Sequence, residues 1–221
     1  NGEPVGEPMT ILVNRTMDYN DSEVLGKQEE SETIWTEMRA DAADQGITLV
    51  KNSLDQLPLN PRDHRRIRLY HLVGESGILG EVTDELAQAY VAELTARGYE
   101  VTINDGSSRV KGSTLAYREQ VDAALIVAEV VGYGAQNNYR IVWKTAMSNE
   151  CPWYVWEVPT FMVSHNYTTH LHDATMVKCY INAYHPNEAN VRATIDKLEG
   201  RSDFRGTPNE LVWTEKWQAR L

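Results

Sequence analysis

The 221-residue sequence predicts an α/β protein built on a mostly parallel, doubly wound sheet. Residues 123–131 form an almost unbroken apolar run rich in β-branched side chains, and glycines follow at positions 132 and 134. A strand that is apolar on both faces belongs in the centre of a parallel sheet, with layers packed on each side. Predicted strands and helices also alternate along the chain, which favours parallel connections. We therefore expect a three-layer sandwich with an extended arm at each end.

The first half of the sandwich is predicted to contain two amphipathic helices and three strands. We expect one helix over residues 30–45, with Ser31 as its cap and Trp35 on its apolar face. Leu86, Tyr90 and Leu94 recur every four residues, which marks the buried stripe of a second helix ending near residue 98. The strands are expected at residues 47–50, 65–73 and 99–103.

The second half repeats the alternation of helix and strand. A helix over residues 114–121 leads into the central strand, and a helix over residues 188–198 is built on Val191, Ile195 and Leu198. Two further strands are expected, at residues 159–163 and 176–181. Trp213 and Trp217 lie four residues apart in the C-terminal arm, a spacing that suits docking against another surface. The order of elements is that of a flavodoxin-like three-layer sandwich.

Composition and charge exclude several classes of partner. The formal charge is −11, from 21 basic and 32 acidic residues, which argues against nucleic acid or an anionic membrane as the main partner. No apolar run is long enough to span a bilayer. No signal peptide is visible, which favours a cytoplasmic location. Cys151 and Cys179 do not form a disulfide framework or a metal-binding pattern, and we expect neither a metal nor a cofactor.

The loop at residues 132–140 is the expected place for a ligand. Open α/β sheets bind their ligands beyond the carboxyl ends of the strands, and this loop follows the central strand directly. It contains no carboxylate. Glu129 precedes the loop, and we expect its side chain to point within the strand rather than from the loop. The residues alone therefore name no reaction.

Three other clusters favour structural roles over chemical ones. Glycines at residues 74–80 follow a strand, but their spacing fits neither a dinucleotide fingerprint nor a P-loop, so we expect a plain turn. Three histidines at residues 165–172 could supply zinc ligands, but no matching cysteine or carboxylate pair accompanies them. Tryptophans and a tyrosine at residues 143–156 could stack on a sugar or cover the edge of the sheet.

Four stretches of the sequence carry a family resemblance as an ordered set. They are residues 42–60, with Ala-Ala-Asp-Gln-Gly-Ile-Thr-Leu-Val-Lys-Asn and then Leu-Pro-Leu-Asn; residues 138–160; residues 170–184, beginning His-Leu-His-Asp; and residues 197–206, with Lys-Leu-Glu-Gly-Arg-Ser and then Phe-Arg-Gly. From about residue 30 to 208 the set resembles the C-terminal α/β sandwich domain of glycoside hydrolase family 3. The likeness is closest to the β-N-acetylhexosaminidase-like branch. The chain departs from it at residues 167–169, where it has Tyr-Thr-Thr and relatives tend to have Asn-Pro-aromatic.

The resemblance implies that the catalytic nucleophile is an Asp of a barrel domain, which this sequence does not contain. The β-glucosidase branch takes its acid/base Glu from the loop after a central strand, and the corresponding loop here has no carboxylate. The hexosaminidase branch instead keeps an Asp-His pair in the barrel. We therefore assign no catalytic residue to this chain and expect Asn137, Asn138 and Arg140 to line the sugar site.

The resulting hypothesis is an accessory domain that completes or stabilises a barrel active site and is inactive alone. Its expected partners are a family 3 catalytic barrel and a carbohydrate. The predicted division is an N-terminal arm (1–29), the sandwich domain (30–208) and a C-terminal arm (209–221). Two alternatives stay open. One is a stand-alone carbohydrate-binding or scaffold protein, and the other is a flavodoxin-like nucleotide binder.

Overall fold

The computed structural model describes residues 13–14, 24–73, 83–104, 114–130, 140–141, 143, 151–213 and 219–220, with the backbone alone for 24–30 and 114–115. The four helices in these ranges are α1 (Val24–Gly46), α2 (Glu85–Ala96), α3 (Thr114–Gln120) and α4 (Glu188–Leu198). The six strands are β1 (Thr48–Asn52), β2 (Arg66–Val73), β3 (Glu100–Ile103), β4 (Ala123–Glu129), β5 (Thr160–His165) and β6 (Cys179–Tyr184). Short 3₁₀ turns occupy Trp153–Trp156, His170–Asp173 and Glu210–Val212.

The six strands form one sheet in the order β1-β6-β5-β4-β2-β3. Every neighbouring pair is parallel except β1 and β6, which are antiparallel. Without β1, the order is the 2-1-3-4-5 order of flavodoxin-like sheets. The chain therefore reverses its direction of winding between β2 and β4, and the carboxyl ends of these two strands flank the crevice where such folds bind ligands. The predicted doubly wound, mostly parallel sheet is confirmed.

The two faces of the sheet are covered in different ways. Helices α1, α2 and α4 pack on the first face, over alternate strand residues such as Leu125 and Val163. The second face carries α3, the turns at Trp153–Trp156 and His170–Asp173, and the C-terminal segment. The prediction for β4 holds, because Ala123 through Ala128 are buried on both faces. The sheet is thus the middle layer of a three-layer sandwich whose second cover is mostly turns.

The buried stripes predicted for α2 and α4 are confirmed, whereas the start of α1 is not where the sequence indicates. Leu86, Tyr90 and Leu94 of α2 are buried, as are the three apolar residues named for α4. Helix α1 begins at Val24, so Ser31 lies inside the helix and does not cap it. Trp35 is 56% exposed rather than packed on the apolar face. Strand β6 lies three residues later than predicted, because its pairing with β5 begins at Cys179.

The C-terminal segment docks on the second face of the same chain. Trp213 is 1% exposed, and its ring lies 5.0 Å from that of His172 and 6.4 Å from that of Tyr180. Trp217 lies outside the described residues.

Within the described ranges, none of the helices combines the length and the apolar character needed to cross a bilayer.

The segment after α4 clamps the junction between α1 and β1. The side chain of Lys197 is fully buried, and its Nζ donates to Asp44 Oδ1 at 2.8 Å and to the carbonyl oxygen of Asp203 at 2.7 Å. Partial burial would by itself raise the pKa of Asp44, but the hydrogen bond and charge of Lys197 outweigh it and lower that pKa. One buried ammonium therefore joins the first helix to the segment that leaves the last one.

Gly206 completes this clamp by close approach of two backbones. A Cβ built at Gly206 would lie 2.8 Å from the carbonyl oxygen of Ile47 and closer still to Gly46 O and Thr48 Oγ1. Two of these three atoms belong to the backbone and cannot rotate away. Only glycine fits there.

We expect Gly206→Ala to lower the free energy of unfolding by about 3 kcal/mol or more, because the new methyl group overlaps fixed backbone atoms. The matched control is Gly98→Ala. Gly98 has φ +96° but no atom within 4 Å of the added Cβ, so only backbone strain of about 1–2 kcal/mol applies. Urea unfolding of the two variants measures the difference. Equal destabilisation would contradict the close approach at Gly206.

Candidate functional site at the carboxyl edge of the sheet

Three polar side chains lie on the first face of the sheet, where neighbouring parallel strands end. They are His71 on β2, Glu129 at the end of β4 and His165 at the end of β5. His71 is aligned with Val127, and Glu129 lies two residues further along the same face. Because the side chains alternate between faces, all three replace apolar residues at positions facing α2 and α4. The crevice between β2 and β4 is therefore polar at its floor.

His71 lies between two carboxylates. Its Nε2 is 3.3 Å from Glu129 Oε2 and its Nδ1 is 3.5 Å from Asp84 Oδ1. As expected, the side chain of Glu129 contacts the neighbouring strand rather than projecting from the loop, and it is 16% exposed. The side chain of Asp84 is 82% exposed. The imidazole thus connects a sheltered acid at the strand end with an exposed acid at the start of α2.

His165 is neutral and fixed by two hydrogen bonds. Its Nδ1 is 3.3 Å from the carbonyl oxygen of His185, which can only accept, so Nδ1 carries the proton. Its Nε2 then accepts from the hydroxyl group of Tyr90 at 2.9 Å. Burial lowers the pKa of His165 to about 3, although the hydrogen bond to the carbonyl oxygen of His185 opposes this effect. His165 therefore anchors α2 to the end of β5.

Of the three predicted sugar-binding residues, the structure describes only Arg140. Asn137 and Asn138 lie outside the described residues, as does the glycine-rich turn at residues 74–80. Arg140 is exposed, and its Nε donates to Asp173 Oδ1 at 2.6 Å, with a second, very short contact from Nη2. The other oxygen of Asp173 accepts from the backbone N–H of Ile141 at 3.0 Å. The end of the predicted ligand loop is thus tied to the second face, and a role in sugar binding stays a prediction.

Ser164 and His170 form a pair that resembles a nucleophile and its base but has the opposite proton arrangement. Ser164 Oγ lies 2.6 Å from the carbonyl oxygen of Tyr167, so the hydroxyl group must donate there. His170 Nδ1 then donates to Ser164 Oγ, also at 2.6 Å. Burial lowers the pKa of His170 to about 4, although the charge of Asp173 opposes this effect. Ser164 is 1% exposed, so the pair braces a turn and is closed to substrate.

The three histidines at residues 165–172 do not converge. His165 faces α2, His170 is bonded to Ser164 on the other side of the sheet, and His172 packs against Trp213. Within the ranges that the structure describes, no three His, Cys, Asp or Glu side chains are placed to hold a metal ion.

The aromatic segment after Pro152 contains both buried and exposed rings. Tyr154 is buried in the second layer, whereas Trp153 and Trp156 are 37% and 67% exposed.

The sequence already carried a signal for the carboxyl-edge cluster. His71, Glu129 and His165 are in phase with the apolar residues of their strands, and each lies near a strand end. A polar residue at such a position on a parallel strand points to the ligand-binding edge. The contact between His71 and Glu129 also depends on which strands are neighbours. That information comes from the structure.

Comparison with solved structures finds two structures of a protein that is described as "Beta-glucoside phosphorylase BglX". The one bound to 2FGlc is 32% identical, with a TM-score of 0.71, over 85% of this chain and 33% of that chain. The other is 31% identical, with a TM-score of 0.73, over 91% of this chain and 36% of that chain. A glycoside hydrolase family 3 β-N-acetylglucosaminidase from Paenibacillus sp. str. FPU-7 shares the fold at 13% identity and a TM-score of 0.51, over 88% and 35% of the two chains.

The chain therefore spans about a third of the length of these relatives. No family model matches the sequence, and no curated protein does.

The buried histidines predict a loss of stability in mild acid. His165 and His170 have pKa values near 3 and 4 when folded, below the ordinary value of 6.5. Because the unfolded chain binds these protons first, the stability is fully present above pH 6.5 and falls as the pH drops toward 4. At pH 5 each histidine costs about 2 kcal/mol.

Urea unfolding at pH 7.5 and pH 5 checks this prediction. In the variant His170→Asn the amide N–H₂ can keep the bond to Ser164 without titrating, so the loss between the two pH values should shrink by about 2 kcal/mol. An unchanged loss in that variant would show that His170 is not the buried neutral base described above.

Proposed function

Because this chain belongs to the C-terminal α/β sandwich domains of glycoside hydrolase family 3, as its sequence predicts, we propose that it is an accessory domain of a glycoside-cleaving enzyme. In this proposal it completes or stabilises an active site carried by a barrel domain. The substrate class of the assembled enzyme is a β-glucoside or a β-N-acetylglucosaminide, the classes that appear in the descriptions of its structural relatives.

This proposal rests on how the acidic side chains are arranged at the carboxyl edge of the sheet. A retaining glycosidase needs two carboxyl groups about 5 Å apart, with space for a glycosidic bond between them. Here the imidazole of His71 occupies the space between Glu129 and Asp84. Among the described residues, the acids of this edge are therefore engaged in holding a histidine, which fits a supporting role.

We propose that the sugar is contacted by residues of the segment 132–140, which follows β4 in the sequence. Asn137 and Asn138 would supply amide groups to sugar hydroxyls. Arg140 would fix the end of the loop through Asp173, since that ion pair and the bond from Ile141 N hold the chain in place. The pair formed by His71 and Glu129 would face the barrel from the strand ends.

A second candidate function is supported by the exposed tryptophans. Trp156 is 67% exposed and Trp153 is 37% exposed, and aromatic faces of this kind stack on sugar rings. The ammonium of Lys178 lies 4.5 Å from the ring centroid of Trp156 and covers one face, so a sugar would take the other. This observation favours a stand-alone carbohydrate-binding protein as the alternative.

The test is the cleavage of aryl β-glucosides and aryl β-N-acetylglucosaminides, with and without inorganic phosphate. Three samples are assayed: this chain alone, the part of the β-glucoside phosphorylase relative that this chain does not match, and the two mixed. We expect activity above either component only in the mixture. Activity of the chain alone would refute the accessory role. Sugar binding by calorimetry that Trp156→Ala removes, without activity in the mixture, would support the second candidate.

Within the active mixture, Glu129→Gln should lower kcat/KM about tenfold, because the histidine at the strand end loses its charged partner. The matched control is Glu119→Gln, which makes the same chemical change at an exposed position at the end of α3. Equal activity of the two variants would show that the carboxyl edge does not face the sugar site.

A further inference from the structure

A pocket of about 340 Å³ opens on the second face of the sheet, away from the polar crevice of the first face. It is lined by Arg140, His172, Thr175 and Ala219. These residues come from three separate parts of the chain, which meet beside the edge strand β1. The volume is enough for a phosphate group together with a small organic part.

A buried ammonium lies directly behind the pocket wall. Lys51 is 3% exposed, and its Nζ donates to the carbonyl oxygens of Thr175 at 3.0 Å and Ala219 at 2.9 Å. The backbone carbonyl oxygens of two lining residues therefore accept hydrogen bonds from Lys51. Burial lowers the pKa of Lys51 to about 8, and the nearby charge of Lys178 acts in the same direction.

One side chain of the pocket lining has a nitrogen atom that lacks a partner. The buried Nε2 of His172 makes no hydrogen bond with any described residue. Arg220, next to Ala219, is not part of the lining, and its Nη1 and Nη2 are paired with Glu210. The guanidinium of Arg140 directs Nε and Nη2 to Asp173, whose other oxygen is taken by the N–H of Ile141. Among the described residues, Asp173 is thus engaged with Arg140 and Glu210 with Arg220, and the Nε2 of His172 is left without a partner.

We propose that this pocket binds a small oxyanion, a phosphate or a carboxylate group on a sugar-sized molecule. In a chain of formal charge −11, a cavity that is lined by Arg140 and backed by the ammonium of Lys51 differs from the average, acidic surface. Charge-assisted hydrogen bonds to an oxyanion would satisfy His172 Nε2 and strengthen with the low polarity of the buried side.

Anion binding at this site needs no barrel domain, so it can be tested separately from the accessory role, with which it shares Arg140. It lies at the far end of loop 132–140 from β4, since Arg140 is both the last residue of the loop and a wall of the pocket. An anion bound there would hold the arginine from the side opposite Asp173.

Isothermal titration calorimetry of the full chain tests the proposal with inorganic phosphate, glucuronate and neutral glucose. We expect saturable binding of at least one of the two anions and none of glucose at this site. The stronger anion identifies whether a phosphate or a carboxylate is the natural group. The absence of saturable binding of both anions would overturn the proposal.

Three variants locate the binding. Arg140→Gln should weaken anion binding at least about tenfold, the usual scale for one lost charge-assisted contact. Arg65→Gln is the control, because Arg65 is similarly exposed and paired with Glu100 on the strand at the other side of the sheet. His172→Phe keeps a ring against Trp213 but removes Nε2, and should also weaken binding. Equal affinities in all three would place the anion elsewhere and overturn the assignment.

Discussion

The buried ammonium of Lys197 is the interaction on which the rest of the architecture depends. It draws Asp44 of α1 and the carbonyl group of Asp203 to one point, and Gly206 then packs against the backbone that enters β1. This junction adds a polar tie to the apolar packing of α1 and to the pairing of β1 with β6. A buried charge is tolerated there because its ammonium donates to Asp44, Ser202 and the carbonyl oxygen of Asp203.

The sandwich separates two kinds of chemistry onto its two faces. On the first face, His71, Glu129 and His165 lie under helices at the strand ends, where parallel sheets collect ligands. On the second face, a cavity is lined by Arg140 and three further residues, with the ammonium of Lys51 behind its wall. Arg140 is the link between them, because it closes the loop that leaves β4 and contacts Asp173 on the second face.

The sequence predicts those features that depend on the local period of apolar residues. The double-sided burial of β4 and the stripes of α2 and α4 are of this kind. The start of α1 was missed because residues 24–30 precede any apolar stripe, and β6 was misplaced because residues 176–184 are apolar almost throughout. The pairing of Arg140 with Asp173 spans 33 positions. Contacts of that range follow from strand order, which no local pattern encodes.

The two outer strands of the sheet are both poor templates for adding another strand. Strand β1 has an irregular register between Leu49 and Lys51, and it turns the charged Lys51 inward. Strand β3 is only four residues long and exposes Glu100. Irregular pairing, inward charge and short length are the means by which native sheets resist edge-to-edge aggregation. Association with another domain would then use side-chain surfaces, and the sheet would keep its six strands.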